Sequence, residues 1–245
     1  MNLPHPAQTA LRSTFALLLA AGSVFASATV EAQYSDELRS RSRRSTPEHF
    51  GLELKIGTYN PGARVADGTS AVEAIFGDDH GPLLQLEFDV FAYRIPFVGL
   101  IGGAVSGGWA RYSAVLCLDA ACTQRLDEEG QLKLFPVALM AVLRVDVLAR
   151  ELNVPLVVTG KVGLDAIFFK SSGGTAGSGS SFGVRWAVQF ALELDFLDRR
   201  RAAMLDQEWG INHSALFVEI FGSTADSTVD LGTSLAWTIG LGITF

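Results

Sequence analysis

Two stretches of the chain alternate strictly between large apolar residues and small or polar ones. In residues 182–193 the order is Phe-Gly-Val-Arg-Trp-Ala-Val-Gln-Phe-Ala-Leu-Glu, and residues 234–245 repeat the pattern and end on Phe245. A period of two places successive side chains on opposite faces of a β-strand. The pattern therefore predicts two strands, each with one large apolar face.

Six further segments carry weaker copies of this alternation. They are residues 50–56, 84–90, 97–112, 135–145, 158–168 and 216–220. The connections between candidate strands are mostly long and short in turn: Tyr59–Gly81, Tyr93–Pro96, Ser113–Gln131, Arg150–Pro155, Lys170–Ser181, Asp195–Asn212 and Gly222–Gly232. Such alternation and an even strand count are typical of a barrel with both termini in the periplasm. We therefore predict an all-β fold, an eight-stranded antiparallel up-and-down transmembrane β-barrel.

One connection departs from the simple pattern. Residues 195–212 are long where a short turn is expected, and residues 199–206 read Arg-Arg-Arg-Ala-Ala-Met-Leu-Asp ahead of Gly210. We interpret this segment as one short periplasmic helix, since a glycine commonly closes a helix.

A soluble barrel or sandwich would bury the apolar face instead of exposing it to lipid. Three features favour the membrane alternative. The longest runs, about 10 to 12 residues, suit a tilted bilayer crossing better than an average globular strand. The second face is rich in Gly, Ala and Ser, which fit a narrow lumen. Trp186, Trp237 and Phe245 stand where an interfacial aromatic girdle is expected.

With the apolar faces outward, eleven charged residues share one narrow interior. They are Glu53, Lys55, Glu87, Asp89, Arg144, Asp146, Lys161, Asp165, Arg185, Glu193 and Glu219, seven acids and four bases. Unpaired charges are costly at low dielectric, so we expect cross-strand salt bridges that close the lumen. The three surplus acids leave a narrow, cation-leaning, porin-like channel as the alternative.

The N-terminus has the composition of an export signal. Arg12 precedes the apolar run 15–21, and small residues follow at Ala26-Ser27-Ala28. This is typical of a Sec-type signal peptide, and the run is short for a membrane anchor. The predicted domains are a signal peptide at 1–28, a disordered basic linker at 29–49 and an outer-membrane barrel at 50–245.

The two cysteines agree with export. Cys117 and Cys122 are the only ones in the chain and are predicted to form a small disulfide loop in an oxidising compartment. A redox motif would have the closer Cys-x-x-Cys spacing, and two cysteines alone do not make a structural zinc site.

Composition excludes one class of partner and suggests few chemistries. The 245 residues carry a formal net charge of -7, which argues against nucleic-acid binding. His213, Ser214 and Glu219 invite comparison with outer-membrane lipid hydrolases. Neighbours on a strand point to opposite faces, so His213 is poorly placed to activate Ser214. No catalytic residue, cofactor or metal is predicted, and a lipid hydrolase is the weakest alternative.

Three blocks resemble a known family. Residues 153–164, 194–214 and 237–245, above all Leu-Asp-x-x-x-Gly-Ile-Asn-His at 205–213, resemble outer-membrane β-barrel proteins of myxobacteria-type Gram-negative bacteria. Thr159 stands where an aromatic residue is expected. The resemblance implies a monomeric barrel among outer-membrane lipids, without catalytic residues. Its terminal Phe245 resembles the signal that barrel-assembly machinery recognises, so that machinery is an expected transient partner. The predicted role is structural or one of surface interaction.

Overall fold

The structure is a computed structural model, and it describes residues 47–63, 81–117, 125–152, 154–172, 177–197, 204–205, 208–227 and 229–245. The elements are β1 (Phe50–Tyr59), β2 (Gly81–Ile95), β3 (Gly99–Cys117), β4 (Arg125–Val145), α1 (Val147–Glu151), β5 (Leu156–Ser172), β6 (Gly177–Glu193), β7 (His213–Ser223) and β8 (Thr233–Thr244).

The eight strands form one closed barrel in chain order. Each strand pairs antiparallel with the next, and β1 closes the barrel by pairing antiparallel with β8, with Leu54 opposite Leu241. The seam extends to the last residue, because the backbone N–H groups of His49 and Phe50 both donate to the carbonyl of Phe245, at 2.9 and 2.7 Å. Closure pairs both edges of every strand within the barrel wall, and the β3–β4 and β5–β6 hairpins extend past their outer neighbours at one end. The predicted all-β, eight-stranded antiparallel barrel is confirmed.

Both barrel termini lie at one end, here named the terminal end, together with the β2–β3 turn, α1 and the β6–β7 connection. The four remaining connections lie at the opposite end, named the loop end. Two loop-end connections are shorter than predicted, because the strands continue to Cys117 and from Arg125, and to Ser172 and from Gly177. Backbone ladders need no apolar alternation, so strands extend beyond the segment that the pattern marks.

The helix that the structure describes was not predicted. It is α1, five residues in the β4–β5 connection, with Asp146 at its N-cap position. The predicted helix at 199–206 lies largely outside the described residues, although Met204 and Leu205 are helical. In the described part of the chain, no helix is long and apolar enough to cross a membrane.

Side chains follow the predicted parity on most strands. On β1, Leu54 and Ile56 face outward and are 50% and 56% exposed, whereas Lys55 between them is completely buried. Leu139 on β4 is 64% exposed and flanked by buried Ala138 and Met140. The middle of the barrel wall thus has an apolar outer face, and charged side chains lie inside, the reverse of a soluble barrel.

The interior is less polar than predicted. Large apolar side chains also point inward, and Tyr59, Leu134, Ile167 and Phe221 belong to one cluster at the loop end. Phe217 belongs to a second apolar cluster nearer the terminal end. The expectation that only small or polar groups face inward was therefore wrong. A narrow lumen must be filled to interior density, and bulky residues fill it above and below the charges.

Candidate functional site

The middle of the lumen holds five ionisable side chains, which we name the central network: Glu53, Lys55, Glu87, Lys161 and Glu219. Lys55 Nζ lies 2.8 Å from Glu87 Oε2, 2.7 Å from Glu219 Oε2 and 3.1 Å from Glu53 Oε2. Lys161 Nζ lies 2.9 Å from Glu53 Oε2 and 3.0 Å from Glu219 Oε2, and it also pairs with Glu87. Both ammonium groups thus contact all three carboxylates.

The strand register explains this convergence. Glu53 lies opposite Glu87 in the β1–β2 pair, so their side chains enter the lumen at the same level. Lys161 comes from β5, four strands away from β1 on either side of the ring. The pair between Lys161 and Glu53 therefore joins opposite walls, and ionisable side chains meet across the lumen at this level.

Two amide side chains and a guanidinium surround the central network. Gln189 Nε2 donates to Glu53 Oε1 at 2.9 Å. On the loop-end side, Arg185 Nη2 donates to Gln85 Oε1 at 3.1 Å, and the guanidinium lies 4.0 Å above the centre of the Phe221 ring. Buried charges are tolerated only when such partners compensate for lost hydration. The arrangement forms a polar plug, with apolar side chains packed on its loop-end side.

A second charged group lies at the terminal end, here named the terminal cluster. Its members are Glu48, Arg94, Arg144, Asp146, Arg150, Glu193, Asp195 and His213. Asp146 Oδ2 accepts hydrogen bonds from Arg94 Nη1 at 2.7 Å and from Arg150 Nε at 2.9 Å. Glu48 Oε1 pairs with the same two guanidinium groups, at 3.4 Å from Arg94. These contacts fasten α1 to the end of β2 and to the residues that precede β1.

His213 lies at the centre of the terminal cluster. Its Nδ1 contacts Asp195 Oδ2 and lies 4.0 Å from Glu193 Oε2. Its Nε2 lies 3.5 Å from Glu48 Oε1. Carboxylates therefore face both ring nitrogens.

The electrostatics of this end are dominated by Glu48, whose side chain is 2% exposed. Burial alone would raise the pKa of Glu48, but the hydrogen bond to His213 and the charges of Arg144, His213 and Arg150 outweigh it and hold the pKa well below its usual value. Burial of Arg150 is likewise outweighed by Glu48 and Asp146, which raise the pKa of its guanidinium. Both groups stay ionised and paired at neutral pH.

The structure places eight of the eleven predicted interior residues in two groups rather than in one network. All eleven are buried. Asp146 is not on a strand as predicted, since β4 ends at Val145, and it belongs to the terminal cluster with Arg144 and Glu193. Glu53, Lys55, Glu87, Lys161 and Glu219 form the central network, and Asp89, Asp165 and Arg185 line the same lumen.

Sequence reasoning missed several members of the terminal cluster. Glu48 was assigned to the disordered linker, yet it is buried against the barrel. Arg94 and Arg150 were assigned to connections, and Asp195 to the long β6–β7 segment. Their partners lie 46, 52 and 102 residues away for the pairs Arg94–Glu48, Arg94–Asp146 and Arg150–Glu48. The signal that could have suggested them is that acidic and basic residues both occur where the strands terminate at the terminal end of the barrel.

A small cavity lies between the two groups. Its lining includes Glu53 and Asp89 on the side of the central network, and Arg144, His213 and Thr244 on the side of the terminal cluster. Asp89 Oδ1, Arg144 Nε and Thr244 Oγ1 are buried there without a hydrogen-bond partner among the described residues. The cavity is thus lined by polar atoms with unused hydrogen-bonding capacity.

The residues considered for a lipid hydrolase do not assemble. The carboxylate of Glu219 is held by Lys55 and Lys161, far from the ring of His213, which contacts acids of the terminal cluster. The backbone N–H of Ser214 donates to Asp195 Oδ1 at 3.4 Å. The predicted disulfide lies outside the described residues, since Cys122 and the side chain of Cys117 are not described.

A closed antiparallel barrel with apolar residues outside and charges inside has the construction of a transmembrane β-barrel. No protein-family model matches the sequence, and no curated protein matches it.

Solved structures do match. The attachment invasion locus protein Ail of Yersinia pestis, in complex with the heparin analogue sucrose octasulfate, is 14% identical, with 82% of this chain and 100% of that chain covered and a TM-score of 0.47. Neisserial surface protein A is 12% identical, with coverage of 80% and 97% and a TM-score of 0.47. The N-terminal β-barrel domain of Pseudomonas aeruginosa OprF is 10% identical, with coverage of 81% and 100% and a TM-score of 0.43. At such identities the similarity concerns the fold alone.

Proposed function

We propose that this chain is a non-enzymatic outer-membrane β-barrel protein with a structural or surface-interaction role and a closed lumen. The observation that carries the proposal is the central network, in which Lys161 on β5 and Glu53 on β1 meet at 2.9 Å between opposite walls. An open pore needs a continuous aqueous path, and this contact occupies the path at its middle.

The outward side chains support the membrane location. Residues such as Leu139 and Leu241 are 64% and 59% exposed on a barrel whose charges are inside, and hydrocarbon is the solvent that suits such a surface. Heat-modifiable gel migration tests the location. We expect unboiled protein extracted from outer membranes to migrate apart from boiled protein, because membrane barrels resist SDS until heated. A single position in both lanes, with the protein in the soluble fraction, would overturn the proposal.

The partners follow from the resemblance of residues 205–213 and of the C-terminal strand to myxobacteria-type outer-membrane barrels. Outer-membrane lipids surround a monomer in this proposal, and barrel-assembly machinery engages the strand that ends at Phe245 during biogenesis. Replacement of Phe245 by Ser should reduce the amount of folded barrel in the membrane without reducing synthesis. Equal folded amounts would remove Phe245 from the assembly signal.

Planar-bilayer recording tests the closed lumen. We expect purified protein to give no reproducible single-channel steps. The alternative is a narrow cation-leaning channel, which the unpaired buried Oδ1 of Asp89 in the polar cavity favours. Cation-selective steps that disappear in Asp89→Asn, but persist when the exposed loop-end Asp226 is changed to Asn, would establish that channel and overturn the closed barrel.

A further inference from the structure

The terminal cluster contains three side chains whose donor atoms converge on one point. Glu193 ends β6, Asp195 follows it two residues later, and His213 begins β7, so the β6–β7 connection brings all three to the terminal end. One donor atom from each lies within 4.8 Å of the others. The side chains are 12%, 24% and 22% exposed, so the point is reachable from solvent.

Neighbouring groups hold each of these donors in place. Arg144 Nη2 binds Glu193 through Oε1 at 3.3 Å, and the other oxygen, Oε2, is the one that faces His213. The backbone N–H of Ser214 binds Asp195 through Oδ1, and Oδ2 is the one that contacts the ring. Each carboxylate therefore has one oxygen engaged by a donor and the second directed at His213 Nδ1.

The far side of the imidazole is also fixed. His213 Nε2 lies 3.5 Å from Glu48 Oε1, and Glu48 is almost completely buried. A carboxylate behind the ring holds a proton on Nε2, so that displacement of the Nδ1 proton by a metal would free the Nδ1 lone pair as a ligand while the ring keeps its orientation. Metal-binding histidines typically have this outer carboxylate or carbonyl. The polar cavity adjoins His213, and its unpartnered Thr244 Oγ1 and Arg144 Nε show that hydrogen-bonding capacity remains beside the ring.

We propose that Glu193, Asp195 and His213 form a binding site for a divalent transition metal of the zinc class. One imidazole nitrogen with two carboxylate oxygens is a donor set that Zn²⁺ accepts, with water completing the coordination, whereas Mg²⁺ and Ca²⁺ prefer oxygen ligands alone. The metal takes the place of a proton on Nδ1 between the two carboxylates. Bound there, it joins the end of β6 to the start of β7 and closes the terminal end of the barrel.

Zinc titration of folded protein in detergent tests the site, with a chain that carries no polyhistidine tag. We expect one equivalent of Zn²⁺ to bind, with affinity at least tenfold weaker in His213→Gln and in Asp195→Asn. His49→Gln is the matched control, because His49 is exposed near the same end and belongs to no such group among the residues that the structure describes. No zinc binding, equal binding in His213→Gln, or equal loss in His49→Gln would overturn the proposal.

A second measurement does not require the variants to fold. Long-range ¹H–¹⁵N correlation spectra of the wild-type chain with labelled histidine show which ring nitrogen binds Zn²⁺. We expect the His213 Nδ1 resonance to shift on zinc addition and to return with EDTA, with no shift on addition of Mg²⁺. A metal on Nε2 of His213, or no change at His213, would overturn the proposal. Neither experiment depends on whether the lumen is closed.

Discussion

Lys161 Nζ lies 2.9 Å from Glu53 Oε2, and the two residues belong to opposite strands of the eight-stranded barrel. A pair between opposite walls requires a lumen no wider than two extended side chains. It also makes the two residues dependent on each other, since the side chain of Lys161 is completely buried and that of Glu53 is only 11% exposed. Loss of one partner leaves a buried charge uncompensated.

Replacement of Lys161 by Met should therefore destabilise the barrel strongly. The substitution keeps most of the length of the side chain but leaves Glu53 and Glu87 with one ammonium fewer. We expect the free energy of unfolding to fall by about 3 to 5 kcal/mol, measured by urea unfolding in detergent. Lys170→Met on the same strand is the control, because Lys170 is exposed, and it should change stability by less than about 0.5 kcal/mol. Equal effects of the two variants would contradict a role for the central network in stability.

The hydroxyl of Tyr59 should contribute to closure of the loop end. Tyr59 is fully buried, and its hydroxyl donates to the carbonyl of Leu231 at 2.8 Å, joining the end of β1 to the segment before β8. Tyr59→Phe leaves that carbonyl without this donor, so we expect a loss of about 1 to 3 kcal/mol. Tyr93→Phe, at an exposed position on β2, should be close to neutral. Thermal unfolding followed by circular dichroism distinguishes them, and a neutral Tyr59→Phe would mean that packing alone holds this end.

Two glycines of β5 should differ sharply in their tolerance of alanine. A Cβ at Gly163 would overlap the carbonyl oxygen of Leu139 on β4, whereas a Cβ at Gly160 meets nothing within 4 Å. Gly163→Ala must displace backbone, and we expect it to cost about 1 to 3 kcal/mol or to prevent refolding. Gly160→Ala should leave the free energy of unfolding unchanged or raise it by up to about 1 kcal/mol. The opposite order, measured by refolding yield and urea midpoint, would show that the register of β4 against β5 is wrong.

Glu48 should make the barrel sensitive to acid. Its pKa in the folded chain lies below the ordinary value of 4.5, so its contribution to stability is fully present above pH 4.5 and is lost as the pH falls from there toward the folded pKa. At pH 7, Glu48→Gln should lower the free energy of unfolding by about 1.5 to 3 kcal/mol, and the difference from wild type should narrow below pH 4.5.

The acid series is measured in EDTA, so that metal binding does not contribute. Glu151→Gln is its control, because Glu151 is exposed on α1 and contributes no contact to the terminal cluster. A difference between wild type and Glu48→Gln that stays constant from pH 7 to about pH 3 would show that Glu48 acts through packing and not through its charge.

Most of the fold could be predicted from the sequence, because a strand that faces lipid requires an apolar residue at every second position. Phe190 and Ile239 are examples of such outward positions. This alternation identifies a strand even when the strands that pair with it are unknown. Strand ends carry no such constraint, so the extensions to Cys117 and from Arg125 could not be predicted. The ladder there rests on backbone groups that all residues share.

Only part of the barrel interior could be predicted from the sequence. The alternation of apolar and polar residues identified which charged side chains face inward. It does not give their position along the barrel axis, so it could not assign Glu53 and Glu193 to different groups. Tyr59 was missed as an interior residue because it was assigned to the connection Tyr59–Gly81, and Phe221 because it lies just beyond the predicted strand 216–220. Glu48 was missed because its partners Arg94 and Arg150 are 46 and 102 residues away, and only barrel closure brings them together.

The environment of the outward side chains shows most directly whether the apolar face of the barrel contacts lipid. Nitroxide labels placed at Val184 and Phe190 on β6, in a Cys117→Ser, Cys122→Ser chain reconstituted in lipid, report accessibility to molecular oxygen and to a water-soluble nickel chelate. We predict high accessibility to oxygen and low accessibility to the chelate at both positions, and the reverse at the exposed loop-end residue Asp226. Labels at Val184 and Phe190 that respond to the chelate as Asp226 does, or that are shielded from both reagents, would contradict a barrel whose apolar face contacts lipid.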